Sequence, residues 1–237
     1  MKKLVKILLL VALVLPILSS CNKDDAPKKS VLATILPYWN EVGFAIQMDN
    51  GETMYPSRVR INYKAKEEAQ RAIILFSENS QPVAPFTYNV DIYGITELET
   101  KEIEYVTSPD EELSKNGIEI VDAYIGGGYL NIEYKVNIDP YSKNQSHIVS
   151  LVDNQIDGKP EYTTHFPLEL RFKRDHSLQD GRGQTYTNIA CFYIGNYSLK
   201  NLDCEGYEIK FFDLNSENEK DPESIQMKSV KVNPTEL

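Results

Sequence analysis

The sequence predicts an all-β protein of two domains, and three observations predict it. Large apolar residues recur at every second position through much of the chain after residue 30, the period of a strand with one face against a core. The helix-friendly stretch at residues 64–71 has no apolar stripe beyond alanine, so it predicts a turn or one short helix. A polar, acidic, proline-containing segment at residues 107–116 separates two strand-rich regions.

Taken in order, Val42, Phe44, Ile46 and Met48 share one face, and Asp49-Asn50-Gly51 turns the chain into Glu52-Thr53-Met54-Tyr55, a β-hairpin. Phe86, Tyr88, Val90 and Ile92 alternate with Thr87, Asn89, Asp91 and Tyr93, and Gly94 marks a bend or bulge. Leu130, Ile132, Tyr134, Val136 and Ile138 alternate with polar residues and Tyr129 in the clearest strand of the chain. The glycines at 126–128 lead into that strand and not into a helix, which predicts a backbone turn and excludes a phosphate loop. Phe166, Leu168, Leu170 and Phe172, then Tyr207, Ile209 and Phe211, repeat the period. Residues 30–106 therefore read as a five-stranded open Greek-key barrel, and residues 117–237 as an antiparallel β-sandwich of six or seven strands.

The first twenty residues stand apart from this fold. Met1-Lys2-Lys3 and the twelve apolar residues 7–18 have the form of a signal peptide, short of the roughly 20 residues a membrane-crossing helix needs. Leu18-Ser19-Ser20-Cys21 resembles the lipobox of bacterial lipoproteins, in which the peptide is cut before the cysteine and the thiol is acylated. Residues 1–20 are thus expected to be removed and residues 21–29 to form a polar tether. Lys23-Asp24-Asp25 resembles a signal that sends lipoproteins of Gram-negative anaerobes to the cell surface. The expected location is the outer membrane, held by fatty acyl chains such as palmitate and facing the exterior, with a periplasm-facing protein as the alternative.

Net charge excludes one class of partner. The chain carries −10, and −13 once Lys2, Lys3 and Lys6 leave with the signal peptide. Such a balance opposes nucleic-acid binding and disfavours adsorption to anionic lipid.

No catalytic, cofactor or metal site emerges. His147, His165 and His176 lack metal-ligand spacing, and extended Asp175-His176 would point to opposite faces. Asp213-Leu214-Asn215-Ser216-Glu217 opens like a calcium loop but has Asn218 and Ser224 where such a loop needs Gly and Glu. Cys191 and Cys204 could close a short disulfide loop, although the apolar setting of Cys191 is typical of a buried thiol. Tyr38 and Trp39 are candidate ligand contacts, alternatively aromatics that close a domain end.

The lipobox, the hairpin Asp49-Asn50-Gly51-Glu52-Thr53 ahead of Met54-Tyr55-Pro56, and Ile125-Gly126-Gly127-Gly128-Tyr129-Leu130-Asn131-Ile132-Glu133-Tyr134 resemble the NigD-like lipoproteins. The resemblance covers nearly the whole chain after Cys21. It implies an N-terminal OB-type domain, a C-terminal β-sandwich and an envelope location. OB-type folds bind oligosaccharides or oligonucleotides by ring stacking, and acidity favours the sugar here. The expected function is therefore non-enzymatic binding of a protein or glycan partner at the envelope. The alternative implied by the family's bacteriocin operon is an immunity protein. A hydrolase with a spatially dispersed site is a third reading.

Overall fold

The computed structural model describes residues 27–37, 43–81, 83–108, 113–139, 147–159, 161–162, 164–174, 178, 183–217, 221 and 224–234. They form two compact units that meet in the chain between Glu97 and Leu98.

In the first unit, β1 (Lys29–Pro37), β2 (Phe44–Met48), β3 (Thr53–Val59), β4 (Gln70–Glu78) and β5 (Tyr88–Glu97) close into a barrel in the order β1-β2-β3-β5-β4. The barrel is closed where the sequence suggested an open one, because β1 pairs with both β2 and β4. Its core collects the apolar halves of the strands, including Ile35, Phe44, Ile46, Met54, Ile74 and Ile92, all buried. Each such side chain contributes about 1.5–3 kcal/mol by leaving water. Gly51 adopts φ +84° in the β2–β3 turn, and the Glu52 amide donates to Asn50 Oδ1 at 3.0 Å. Opposite Gly94 the β4–β5 register jumps, Leu75 facing Gly94 and Phe76 facing Ile92, so Tyr93 is the extra residue of a bulge. Residues 64–69 carry no helix, and the chain enters β4 at Gln70.

The second unit contains β6 (Glu99–Glu102), β7 (Glu104–Val106), β8 (Ile118–Gly126), β9 (Tyr129–Ile138), β10 (Ile148–Asn154), β11 (His165–Lys173), β12 (Gln184–Tyr193), a one-turn helix α1 (Leu199–Leu202), β13 (Gly206–Phe212) and β14 (Met227–Val232). A five-stranded sheet, β14-β13-β11-β10-β7, and a four-stranded sheet, β6-β12-β9-β8, share one core. Gly127 and Gly128, at φ +61° and +82°, make the tight β8–β9 link.

Two expectations are corrected here. Residues 99–106 were assigned to the barrel, but β6 pairs with β12 and β7 with β10, so they belong to the sandwich. Their charged side chains are bonded, not merely solvated. Lys101 on β6 donates to the Val149 carbonyl of β10 at 2.6 Å, crossing from one sheet to the other, and Ser150 donates to Glu104 at 2.6 Å. The segment 107–116 lies inside this unit, with Asn116 bridging Phe172, although 109–112 fall outside the described residues. The sheets are also mixed and not purely antiparallel. After β11 the chain crosses to the other sheet as β12, so β13 returns beside β11 in parallel.

Candidate functional site

The outer face of the five-stranded sheet carries an open groove of about 870 Å³. Strand alternation creates it. Phe166, Leu168, Tyr207 and Ile209 point into the core, and the intervening positions turn His165, Pro167, Glu208 and Lys210 outward. β14 adds Lys231, the β10–β11 connection adds Lys159, Glu161 and Tyr162, and the turn after α1 adds Asp203. Asp203 closes α1 at φ +55°, the left-handed conformation common at helix ends.

The groove is polar and of mixed charge. His165 Nε2 faces Asn233 Oδ1 at 2.8 Å and Nδ1 lies 2.8 Å from the Thr164 hydroxyl. Asn233 Oδ1 can accept from Nε2, and the Thr164 hydroxyl can donate to Nδ1 or accept from it. Neither is a carboxylate, so His165 lacks the orienting acid of a general base in a catalytic triad. Ser229 donates to Glu208 at 2.9 Å. Tyr162 stands edge-on to Phe166, ring centroids 5.0 Å apart, and donates to the Leu202 carbonyl at 3.4 Å. Behind Phe166, Tyr197 donates to buried Asp153 at 3.2 Å, and burial together with that carboxylate pushes the phenol up to about 12, keeping it protonated at neutral pH. The arrangement offers hydroxyl, ammonium and carboxylate groups to a polar ligand. Among the described residues that line it, none is paired as a nucleophile with a base.

Among the residues singled out from sequence, Cys21, Lys23, Asp24, Asp25, Tyr38, Trp39 and His176 lie outside the described residues. Cys191 and Cys204 are not joined by a disulfide. Cys191 is buried on β12 in the four-stranded sheet. Cys204 packs half-buried just ahead of β13 in the other sheet and donates to the Leu202 carbonyl at 3.4 Å. His147 rests edge-on against Phe172, and its Nδ1 is buried with no hydrogen-bond partner. Asp213 caps a 3-10 turn by accepting from the Asn215 amide and pairs with Lys228 at 2.7 Å, which accounts for the calcium-like spacing without an ion. Among the described residues, no group of three or more His, Cys, Asp or Glu side chains is placed to hold a metal, and no helix is long and apolar enough to cross a membrane. The groove residues were not legible beforehand, because the outward half of an amphipathic strand has the same composition whether it faces water or a ligand.

Solved structures share this architecture. A protein of unknown function from Bacteroides vulgatus superposes with a TM-score of 0.69 at 18% identity, over 88% of this chain and 92% of its own. A protein provisionally described as a lipoprotein from Bacteroides fragilis gives 0.61 at 9% identity, over 89% and 99%. A NigD-like immunity protein from Bacteroides caccae gives 0.57 at 16% identity, over 90% and 100%. No curated protein matches the chain. The NigD-like N-terminal OB domain matches residues 32–98 and the NigD-like C-terminal beta sandwich domain matches residues 102–228. Both halves of the fold are thereby accounted for, and the chain belongs to the NigD-like family.

Proposed function

We propose that the protein is a lipid-anchored envelope protein that acts by binding a protein or glycan partner, without catalysing a reaction. The observation that carries this reading is the lipobox Leu18-Ser19-Ser20-Cys21, placed a short polar segment ahead of two β units. The similar Bacteroides fragilis protein, provisionally described as a lipoprotein, supports the anchor. The mixed-charge groove around His165 supports a polar partner. Acyl chains on Cys21 would hold the protein at a membrane, each buried CH₂ contributing about 0.8 kcal/mol. Lys23-Asp24-Asp25 supports export to the outer face of the outer membrane.

Radiolabelled palmitate fed to expressing cells tests the anchor: wild type takes up label and Cys21→Ser does not. Pull-down from intact cells and a glycan array test the binding. A turnover-dependent activity abolished by one side-chain change would overturn the non-enzymatic part. A second reading, immunity to a bacteriocin at the envelope, draws support from the similarity to the Bacteroides caccae immunity protein. Deleting the gene raises toxin sensitivity if that reading holds and leaves it unchanged if it does not.

A further inference from the structure

One end of the barrel departs from the acidity of the chain as a whole. Lys28, just ahead of β1, lies over the Tyr93 ring at 4.5 Å, and the Arg60 guanidinium lies 5.2 Å from the centre of the same ring. Arg60 and Arg58 share one carboxylate, Asp91, at 2.8 and 3.7 Å. The next residue, Lys29, pairs with Glu78. The arginine side chains are 65% and 43% exposed, so this cationic surface faces solvent. Asp91 is itself 7% exposed and holds Asn79 at 2.9 Å, which fixes the arginines from beneath. Tyr93, half-buried, follows the core residue Ile92 and so turns to the outer face of the barrel wall.

The chain enters the barrel at this same place. Seven peptide steps separate Cys21 from Lys28, so an acylated Cys21 keeps Lys28 within about 25 Å of the bilayer. We infer that the Lys28/Arg58/Arg60 surface is the membrane-facing side of the barrel and binds anionic phospholipid headgroups, setting the barrel's orientation. The inference rests on the lipid-anchored reading above. Net charge does not oppose it once the anchor has brought the chain to the surface. The anchored chain, at −13 without its signal peptide, is repelled by an anionic bilayer while the basic surface of the barrel is attracted, and both effects turn that surface toward the lipid. Arginine suits the task, since its fork donates to phosphate in two directions.

The test uses the chain from Cys21 onward with Cys204→Ser, coupled through Cys21 to maleimide lipid in vesicles of phosphatidylcholine alone or with phosphatidylglycerol. Coupling in this way makes the result independent of acylation in cells, which the palmitate experiment reads separately. A water-soluble amine reagent followed by mass spectrometry reports the reactivity of individual lysines. On phosphatidylglycerol vesicles, Lys28 and Lys29 react roughly fivefold or more slowly than on phosphatidylcholine. Salt at 0.5 M, used here as a screening condition of about one contact distance, removes the protection. Arg58→Gln with Arg60→Gln loses it, and Arg58→Lys with Arg60→Lys retains it, which separates lost charge from lost fold. Equal rates on the two vesicles, or protection confined to Lys210 and Lys231, would overturn the inference.

Discussion

Arg71 on β4 and Asp49 join the wall of the barrel to its β2–β3 turn. The Arg71 guanidinium is wholly buried and donates to the two Asp49 carboxylate oxygens at 2.7 and 3.1 Å, and to Thr34 Oγ1 at 3.0 Å. A buried guanidinium is tolerated only while its charge is matched, and the bidentate pair matches it. Asp49 also begins the hairpin turn, so one carboxylate serves both the turn and the buried guanidinium.

Removing one side of this pair therefore costs more than removing both. Asp49→Ala takes the bidentate carboxylate from the buried cation and destabilises the protein by about 2–4 kcal/mol, the lower end reflecting that Asp49 is itself partly exposed. Asp49→Ala combined with Arg71→Met recovers much of that loss. Urea denaturation of the two single variants, the double variant and the wild type gives the coupling. An additive double variant would refute the account.

Lys101 ties the two sheets of the sandwich at its edge. Besides the Val149 carbonyl it meets Glu99 at 2.6 Å, and Tyr134 donates to Glu99 at 3.3 Å. Lys101→Met leaves a backbone acceptor unsatisfied at a partly exposed site, a loss of about 1–2 kcal/mol. Hydrogen exchange followed by mass spectrometry locates it: amides of β9 and β10 exchange faster, and those of β1 to β5 are unchanged. Acceleration spread evenly over both units would count against the tie.

How much of this was readable beforehand follows from which physical signal each element carries. β9, β11 and β13 alternate cleanly because one face packs and the other is wet, and the Asp49-Asn50-Gly51 and 126–128 turns announce themselves through residues that tolerate positive φ. β4 was hidden because Ile73, Leu75 and their neighbours are apolar on both faces of the barrel wall, which erases the period. β6 and β7 were hidden for the opposite reason. They are short edge strands rich in Glu and Lys, with no apolar alternation to divide them from the barrel domain they were read with, and their place shows only when Lys101 and Glu104 find partners on other strands. The groove stayed invisible because Lys159, Glu161, Tyr162, His165, Asp203, Glu208, Lys210 and Lys231 meet only through the pairing of β11, β13 and β14.

Acid should weaken each unit through one named carboxylate. Burial alone would raise Asp91, but the Asn79 and Arg60 hydrogen bonds and the charges of Arg58 and Arg60 outweigh it and hold it below the usual carboxylate value. Asp213 is likewise lowered, burial being outweighed by Lys228 and the Asn215 amide. A depressed folded pKa contributes stability that is present above the unfolded value of about 3.9 and is lost as pH falls through the folded value. Thermal melts from pH 7 to pH 2 should therefore show wild type losing stability below about pH 4. Asp91→Asn and Asp213→Asn start less stable at pH 7 and lose less below pH 4. Parallel curves for wild type and both variants would contradict this assignment.

The two late cysteines give the last test, because their surroundings set two different reactivities. Cys191 is wholly buried in β12, so reagent reaches it only when the strand opens. Cys204 is partly exposed, but burial and then the neighbouring Asp203 raise its thiol above the ordinary value. With Cys21→Ser, a thiol reagent at pH 8 should modify one group slowly in the native protein and two after denaturation. The slow rate should keep climbing above pH 9, where an ordinary thiol near 8.5 has largely ionised, because the thiolate is the reacting species. Cys204→Ser abolishes the slow phase and leaves the thiol released by unfolding. Finding no thiol after unfolding under non-reducing conditions would mean that the pair is oxidised, and the two reactivities assigned to Cys191 and Cys204 would then be wrong.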